Sequence, residues 1–448
     1  MSGTLLATWQ ATRDRRSNDR AVIQAADGCS ATFRELDARA TAWQACHAAN
    51  SRSFAGRLVV FAAPNGLGWF ELALGLWRAG AVIAPLEAAE PPAAQRHTAE
   101  ALRAAFWWDG ARLVALPAPH RFRDPDICLI KLTSGTTGQP RPLVFTAGEM
   151  LADARQVTST MGITSRDLNY ALIPLGHSYG LGNLAFPLLA QGVPLVCGSA
   201  PLPHAIAADF ARWRPTVFPG VPAMWRALAA SSVALASLRL GISAGAPLPP
   251  EVARQFAARF GRRLHGFYGS SETGGIAYDH SGSATLRGGV GCALRGVTLT
   301  ILRGQRLRVS SAAVFTHGNR LRRNRRGCWL MPDRVSINRR GSVTLLGRRG
   351  ATVKLAGRRL HLAEVAARIR RLPGVRDVWV SVAAGPDPVL GAVVATDRPA
   401  AELRAGLLAE AAAWKVPRKW VTVSTLPATE RGKIDSRRLH ALLFARSA

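Results

Sequence analysis

Short apolar runs alternate with amphipathic stretches along most of this chain, and that alternation limits the folds it can adopt. The run Leu58–Ala62 is apolar at every position, as in a strand that is buried on both faces. A helical pattern at residues 70–77 leads into a second apolar run at residues 82–85. Runs of the same kind recur at residues 168–174, 193–197, 216–219 and 238–243. We therefore predict an α/β fold whose large N-terminal domain has mixed sheets with flanking helices.

The sequence pattern changes after residue 288 and again near residue 350. Short strands and turns are predicted at residues 297–302, 307–310 and 336–346. Beyond them we predict a small α+β unit with a β-ribbon (352–360), a helix (363–371), two strands (375–382 and 389–396), a helix (400–414) and a final strand. We place the boundary between Arg349 and Gly350, which gives domains 1–349 and 350–448. Near the N-terminus, Thr32 followed by Glu35 predicts a capping box at the start of a helix.

Residues 132–141 form the most distinctive segment of the chain. Six consecutive positions hold four hydroxyl side chains and two glycines, namely Thr133, Ser134, Gly135, Thr136, Thr137 and Gly138. Glycines let backbone N–H groups curl around anionic oxygens and hydroxyls add donors, so the segment suits a triphosphate. A strand-like run at residues 127–130 precedes it, and a base, Arg141, follows. A polar surface turn is the ordinary alternative, and the Gly-Lys-Ser/Thr ending of the common P-loop is missing.

This segment resembles the phosphate loop of the AMP-forming adenylating enzymes, which include acyl- and aryl-CoA synthetases, peptide-synthetase adenylation domains and luciferases. In that family a lysine usually stands where this chain has Arg141. The resemblance implies that the loop and Arg141 bind ATP. Four further segments resemble the same family in the same order along the chain, and the acyl-CoA or acyl-carrier-protein synthetases are the nearest type.

The second of these segments is residues 266–274, which resembles the family's Tyr-Gly-x-Thr-Glu motif. The resemblance implies that Tyr268 stacks on the adenine, that Gly269 belongs to the nucleotide site, that Ser271 contacts the α-phosphate, and that Glu272 is a catalytic residue that holds Mg²⁺. Mg²⁺ prefers oxygen ligands and keeps several waters, so one carboxylate together with phosphates is sufficient.

The third segment is residues 329–333, with Gly347 and Arg348 after it. It resembles the family's Thr-Gly-Asp and Gly-Arg pair, with Met331 and Pro332 in place of Thr-Gly. The resemblance implies that Asp333 accepts hydrogen bonds from the ribose hydroxyls and that Arg348 supports it. By itself, an aspartate after a proline is more often a turn residue.

The last two segments lie in the predicted small domain. Residues 426–435 resemble the family's closing segment, which implies that Lys433 is the catalytic lysine and neutralises charge as the carboxylate attacks the α-phosphate. Residues 354–364 resemble the ribbon that lines the acceptor's pantetheine tunnel after the small domain rotates. The resemblance therefore assigns Lys354 and Gly357 to the thiol tunnel and Gly350 to the hinge of a mobile domain.

The acid to be activated is indicated by residues 176–181, which contain no acidic side chain. Amino-acid-activating members of the family carry an aspartate there, and a buried ammonium without a partner is costly. An amino acid is therefore a poor candidate, and we predict a fatty or aromatic acid in a pocket formed by His177, Gly245 and Ala246. The predicted reaction forms an acyl-adenylate from ATP, after which a pantetheine thiol of CoA or of a carrier protein displaces AMP.

Two alternatives remain open from the sequence. The chain departs from the family pattern at Arg141, Met331, Pro332, Gly350 and His361. A catalytically impaired homologue that binds a nucleotide or a partner is therefore the competing hypothesis. The choice between CoA and an acidic acyl carrier protein as acceptor is the second open question.

Composition gives weaker indications about partners and location. The formal net charge is +30, yet only five of the 58 basic residues are lysine, as expected from a coding bias towards arginine. We therefore expect no nucleic-acid partner, although a basic surface would suit an acidic carrier protein. Six scattered cysteines without metal-ligand spacing, and an N-terminus unlike a signal peptide, predict a cytoplasmic enzyme with no integral membrane segment.

Overall fold

The structure is a computed structural model that describes residues 3–47, 54–117, 119–134, 140–317, 327–348, 352–355, 358–383, 388–411, 413–429 and 434–444. The chain divides into two compact units. The first contains residues 1–300, 308–329 and 337–344, and the second contains residues 301–307, 330–336 and 345–448. The domain boundary predicted at residues 349 and 350 falls outside the described residues and stays a prediction.

The described helices are α1 (Gly3–Arg15), α2 (Phe33–Cys46), α3 (Leu67–Arg78), α4 (Pro92–Ala101), α5 (Ala147–Met161), α6 (Ser178–Gly180), α7 (Phe186–Gln191), α8 (Pro203–Trp213), α9 (Pro222–Ala229), α10 (Pro250–Phe260), α11 (Leu362–Arg370), α12 (Ala400–Glu410) and α13 (Ser436–Phe444). A π-helical turn, Leu181–Ala185, joins α6 to α7. None of the helices among the described residues combines the length and the apolar character that crossing a bilayer requires.

The described strands are β1 (Arg20–Gln24), β2 (Ser30–Thr32), β3 (Leu58–Ala62), β4 (Val82–Leu86), β5 (Phe106–Trp108), β6 (Leu113–Ala115), β7 (Ile127–Ser134), β8 (Pro140–Thr146), β9 (Asn169–Ala171), β10 (Leu195–Cys197), β11 (Val217–Gly220), β12 (Leu240–Ser243), β13 (Leu264–Ser270), β14 (Gly274–Tyr278), β15 (Cys292–Ala293), β16 (Thr298–Leu302), β17 (Arg306–Ser310), β18 (Cys328–Ile337), β19 (Val343–Arg348), β20 (Thr352–Leu355), β21 (Arg358–His361), β22 (Asp377–Ala383), β23 (Val389–Ala395) and β24 (Lys419–Val423).

A six-stranded sheet has the order β6-β5-β3-β4-β7-β8. Its central strands β3 and β4 are parallel and almost wholly buried, as their apolar runs predict. Its edge is the antiparallel hairpin β7–β8, in which Thr133 pairs with Arg141. Thr133 and Ser134 therefore lie in a strand rather than in the predicted loop. The pairing continues through these polar residues because a ladder needs only backbone donors and acceptors.

A nine-stranded sheet has the order β15-β14-β13-β12-β11-β9-β10-β1-β2. Strands β9 to β13 are parallel, with Gly220, Ser243 and Gly266 side by side in the register of β11, β12 and β13. The segments that follow β9, β11 and β12 consequently emerge at one edge of the sheet, which is where open α/β sheets place their ligands. The antiparallel hairpin β13–β14 extends from the same side.

Two helices of the first unit begin with a capping box. At α2, the Thr32 backbone N–H donates to Glu35 and the Glu35 N–H donates to the Thr32 hydroxyl, as predicted. At α5, Thr146 and Glu149 form the same reciprocal pair. Helix α5 is buried along most of its length and carries two buried acids, Glu149 and Asp153. The helix contacts strands β7, β8 and β14, which brings these acids close to the candidate site.

The second unit contains the three-stranded sheet β22-β23-β24 and the ribbon β20–β21. Helices α11 and α12 contribute Ile369 and Leu407 to its hydrophobic core. Helix α12 ends at Glu410, four residues before the predicted end. The four-stranded sheet β16-β17-β18-β19 contains a strand, β18, that the sequence analysis did not predict, because Pro332 interrupts its pattern. The predicted α/β fold with mixed sheets and a separate C-terminal sheet domain is confirmed.

Candidate active site

The hairpin β7–β8 carries the first group of predicted nucleotide-binding residues. The half-buried Thr133 donates its hydroxyl to the Arg141 carbonyl at 3.4 Å. Arg141 itself is exposed, and its guanidinium carbon lies 5.7 Å from the centroid of a Trp329 ring. Gly135, Thr136, Thr137, Gly138 and the side chain of Ser134 lie outside the described residues, so their contacts with ATP stay predictions.

One face of this hairpin holds two cations. Side chains alternate along a strand and directly paired residues share a face, so Lys131, Thr133 and Arg141 lie on the same side as Phe145. The Lys131 ammonium is 4.2 Å from the centroid of the Phe145 ring. We call Phe145, Phe315 and Trp329 the aromatic row, because the centroid of Phe315 lies 6.0 Å from that of Phe145 and 5.1 Å from that of Trp329. Lys131 contacts one end of the row and Arg141 contacts the other.

Lys131 is a buried residue that the sequence analysis did not assign to the site. It is 4% exposed, and burial lowers the pKa of its ammonium. The negative charge of Asp153 opposes that effect most strongly, and the carboxylates of Glu149 and Glu272 also oppose it. Burial in turn raises the pKa of the Asp153 carboxyl, against the charge of Lys131. The signal in the sequence was a charged residue inside an otherwise apolar strand.

The turn between β13 and β14 carries the predicted metal ligand, Glu272. The Phe315 N–H donates to the Glu272 carbonyl at 3.1 Å, which joins this turn to the aromatic row. The hydroxyl of Ser178 donates to that of Ser271 at 2.8 Å, and the Thr273 N–H donates to the Ser270 carbonyl at 3.3 Å. The turn is thus fixed both internally and from two neighbouring segments.

Asp153 fixes the far end of the same turn. Its Oδ1 atom accepts a hydrogen bond from the Gly275 N–H at 2.9 Å. Gly274 has φ of +68°, and a Cβ atom there would lie 2.2 Å from the same carboxylate oxygen. A Cβ on Gly182 would approach the other oxygen, Oδ2, to 2.7 Å. Two glycines therefore admit the Asp153 carboxylate, and a larger residue at either position would displace it.

Tyr268 and Gly269 precede this turn in β13. Tyr268 is half-buried and Gly269 is exposed, and the pairing with β14 is irregular between them. An irregularity of this kind re-aims neighbouring side chains and often occurs next to active sites. The stacking of Tyr268 on adenine stays a prediction.

The predicted acyl-pocket residues follow the carboxyl ends of the parallel strands. His177 caps the short helix α6, because its Nδ1 accepts from the Tyr179 N–H at 3.2 Å. The ring of Tyr179 lies 5.9 Å from that of Phe267, between centroids. Gly245, with φ of +85°, and Ala246 are exposed after the end of β12.

Ser243, the last residue of β12, is a further polar group at this edge that the sequence analysis missed. Its buried Oγ has no hydrogen-bond partner among the described residues. A buried hydroxyl without a partner is costly and is often satisfied by a ligand or water. An isolated serine at the end of an apolar run gives no signal in a single sequence.

The remaining predicted residues belong to the second unit or to segments that are not described. Asp333 lies within β18 and is 8% exposed. Arg348 ends β19 and Lys354 lies in β20, but neither side chain is described. Gly350, Gly357 and Lys433 fall outside the described residues. The roles of these six residues stay predictions.

Comparison with known proteins gives a consistent group of relatives. Residues 104–311 match the family model described as AMP-binding enzyme. Feruloyl-CoA synthase of Amycolatopsis sp is 26% identical over 485 aligned positions, covering 96% of this chain and 97% of that protein. Salicylyl-CoA synthase / salicylate adenylyltransferase of Streptomyces sp is 29% identical over 358 positions, covering 70% of this chain and 62% of that protein. ATP-bound MatB from Rhodopseudomonas palustris has the same fold, with a TM-score of 0.83 at 22% identity, covering 97% of this chain and 98% of that one.

Proposed function

This chain belongs to the AMP-binding enzyme family, and we propose that it joins an aromatic carboxylic acid to coenzyme A through an acyl-adenylate. The predicted class of enzyme, an AMP-forming acid–thiol ligase, is confirmed by its curated relatives, which are acyl- and aryl-CoA ligases and synthases. ATP and CoA are the co-substrates of that class. The aromatic acid, the metal and the roles of single residues are the parts that we propose.

One structural observation supports this function above the others. The Phe315 N–H bonds to the Glu272 carbonyl, while the Phe315 ring packs between the rings of Phe145 and Trp329. The hairpin that carries the predicted phosphate loop is therefore tied to the turn that carries the predicted metal ligand. This connection supports a single adenylation site made from two motifs that are far apart in sequence.

An aromatic acid is favoured over a fatty acid by two arguments. The relatives reported above are named for ferulate and salicylate. In addition, the aromatic pair Tyr179 and Phe267 lies beside the predicted pocket residues, where an aromatic acid would find flat apolar surface. The buried carboxylate of Asp153 already accepts a hydrogen bond from the Gly275 N–H and attracts the Lys131 ammonium, so it is not available to bind a substrate ammonium.

The chain's own residues have distinct roles in the proposed reaction. Arg141 would grip phosphate oxygens of ATP through its planar guanidinium. Tyr268 would cover the adenine and Ser271 would donate to the α-phosphate. Asp333 would hold the ribose hydroxyls, and Lys433 would neutralise the charge that develops as the substrate carboxylate attacks the α-phosphate and pyrophosphate leaves.

Mg²⁺ fits the residues that are present. Among the described residues, no group of three or more His, Cys, Asp or Glu side chains is arranged to hold a metal. The half-buried carboxylate of Glu272 instead stands on a turn fixed by hydrogen bonds, which suits an ion held by one carboxylate and by phosphate oxygens. When bound, Mg²⁺ would supply positive charge to the departing pyrophosphate.

The acceptor is proposed to be CoA, since the relatives are named as CoA synthases. An acidic acyl carrier protein is the competing acceptor, because it presents the same pantetheine thiol and would be attracted by the net charge of +30. Incubating the purified enzyme, ATP and acid with either CoA or a pantetheinylated carrier protein separates the two. Thioester formation only on the carrier protein would overturn the choice of CoA.

The acid is tested by exchange of labelled pyrophosphate into ATP in the presence of ferulate, salicylate, benzoate, decanoate, malonate or phenylalanine. We expect exchange with an aromatic acid and none with phenylalanine. Exchange with decanoate or malonate alone would overturn the aromatic substrate but not the ligase. A chain that binds ATP but exchanges pyrophosphate with no acid would instead support the impaired homologue.

A further inference from the structure

We propose that Lys131 is a positioning residue for ATP binding: its buried ammonium balances the carboxylates of Asp153, Glu149 and Glu272 so that an anionic nucleotide can bind at the phosphate-loop hairpin. This inference rests on the proposed function, because it takes ATP as the ligand. It concerns a lysine that lies outside the loop and motif residues described above.

Lys131 is a buried residue of the β7–β8 hairpin. It lies in β7 two residues before Thr133 and therefore on the face of the hairpin that also carries Arg141. It is 4% exposed, and its ammonium contacts the ring of Phe145. The described residues offer that ammonium no hydrogen bond and no ion pair of 4.0 Å or less. A buried ammonium in this situation is unfavourable unless opposite charges surround it.

Three carboxylates provide opposite charge for the Lys131 ammonium. Asp153 and Glu149 are 3% and 7% exposed, and Glu272 is half-buried. All three carboxylates attract the Lys131 ammonium, Asp153 most strongly. Two of these acids lie on helix α5 and the third lies on the β13–β14 turn. Lys131 is the cation that interacts with all three.

The three acids are not equally well satisfied without the lysine. Glu149 accepts hydrogen bonds from the Thr146 N–H at 2.9 Å and from the N–H and hydroxyl of Thr316 at 2.9 and 2.8 Å. Asp153 accepts only the bond from the Gly275 N–H within the part of the chain that is described. Its charge therefore depends on Lys131 far more than the charge of Glu149 does.

The consequence for ATP follows from the signs of these charges. The three carboxylates interact with the Lys131 ammonium. With all four groups ionised they together carry two net negative charges, and removal of the ammonium leaves three. Glu272 has a use in the proposed site as a metal ligand, whereas Asp153 has none, and its charge would repel a triphosphate bound at the same turn. Lys131 therefore makes it possible for Asp153 to hold the Glu272 turn without repelling the nucleotide.

The test is a double-mutant cycle measured by calorimetric titration of MgATP into protein without any acid substrate, so that no chemistry is required. The variants are Lys131→Met, Asp153→Asn and the combination of both. Asn can still accept the Gly275 hydrogen bond. Lys419→Met is the matched control, because Lys419 also lies over a phenylalanine ring, at 5.9 Å, but is exposed.

We expect Lys131→Met to weaken MgATP binding by about 10-fold or more, because an unbalanced buried charge next to the proposed site repels the phosphates at low effective dielectric. Asp153→Asn alone, and the double variant, should stay within about threefold of wild type, because the excess negative charge has been removed. Lys419→Met should bind as wild type does. The double variant has lost both members of the buried pair, so it remains informative even if Lys131→Met does not fold.

Two results would overturn the inference. Wild-type affinity in Lys131→Met, accompanied only by a lower unfolding temperature, would mean that the pair serves folding alone. If the double variant binds MgATP as weakly as Lys131→Met does, Lys131 contacts the phosphates directly. The same conclusion holds if Lys131→Met does not fold and the double variant binds MgATP more than 10-fold more weakly than wild type. A wild-type protein that binds no MgATP would refute the proposed function itself, which is a different result.

Discussion

The two hairpins of the candidate nucleotide site are held in different ways. In the β13–β14 turn, the Glu272 carbonyl accepts a hydrogen bond from the Phe315 N–H and the Ser271 hydroxyl accepts one from Ser178. The Gly275 N–H at the end of this turn donates to Asp153 of helix α5. Arg141 on the β7–β8 hairpin is exposed and rests on one ring of Trp329. The Glu272 side is thus arranged before a ligand arrives, whereas Arg141 can adjust to the ligand. Prearranged groups lose little entropy on binding, and adjustable ones lose more.

Lys433 tests whether the two hairpins are sufficient without the C-terminal lysine. Lys433→Ala should lower carboxylate-dependent pyrophosphate exchange by about 10²–10³-fold, the range for loss of one group that stabilises transition-state charge. The transfer half-reaction, started from supplied acyl-adenylate, should continue largely unchanged, because the lysine is proposed to act only in adenylation. Equal loss of both half-reactions would contradict that division. Lys415→Ala is the control from the same domain.

Glu272→Gln tests the prearranged side. It should raise the Mg²⁺ concentration needed for half-maximal pyrophosphate exchange by at least about 10–100-fold. Loss of a group that only supports a metal ligand already has an effect of that size. Gln keeps the size of the side chain, and the backbone bond from Phe315 is unaffected, so the turn should persist. Glu251→Gln, at an exposed position of α10, is the control. An unchanged Mg²⁺ requirement would remove Glu272 from the proposed metal site.

The two hairpins also differ in how much of them the sequence predicts. The Glu272 turn and the hydroxyl-rich segment are contiguous motifs, so roles for residues such as Thr133 and Ser271 could be predicted from the chain alone, and these roles stay predictions. The capping box of Thr32 and Glu35 was predictable for the same reason, since both partners lie within one turn of helix.

What supports those motifs could not be predicted, because it depends on tertiary packing. Asp153 and Lys131 lie on different elements, and their proximity follows from the position of α5 against both hairpins. The Trp329 ring contacts Arg141, and Trp329 lies in β18, a strand that continues through Pro332. A proline is unusual within a strand, so the sequence pattern does not predict β18. Single-sequence patterns carry the period of an element but not the identity of its distant neighbours.

Arg141→Ala tests the adjustable side. Loss of a charge-assisted contact should weaken ATP binding by about 1–3 kcal/mol, measured by calorimetry in the presence of Mg²⁺. Arg141→Lys should restore much of that affinity, because the family normally has lysine there. Wild-type affinity in the alanine variant would mean that the guanidinium remains in solvent. An inactive lysine variant would mean instead that the hairpin requires the planar guanidinium.

Trp329→Leu should have the smallest effect and separates the ring from the charge. The ring orients an exposed guanidinium, a contact worth about 0.5–1 kcal/mol, so ATP binding should weaken by about two- to fivefold. The Trp329 Nε1 atom has no hydrogen-bond partner among the described residues, so leucine removes no such bond. In an Arg141→Ala background the same substitution should leave ATP affinity unchanged, because the group that the ring orients is absent. If Trp329→Leu weakens binding equally in both backgrounds, the ring acts through Phe315 and the Glu272 turn, and the two hairpins are then coupled rather than independent.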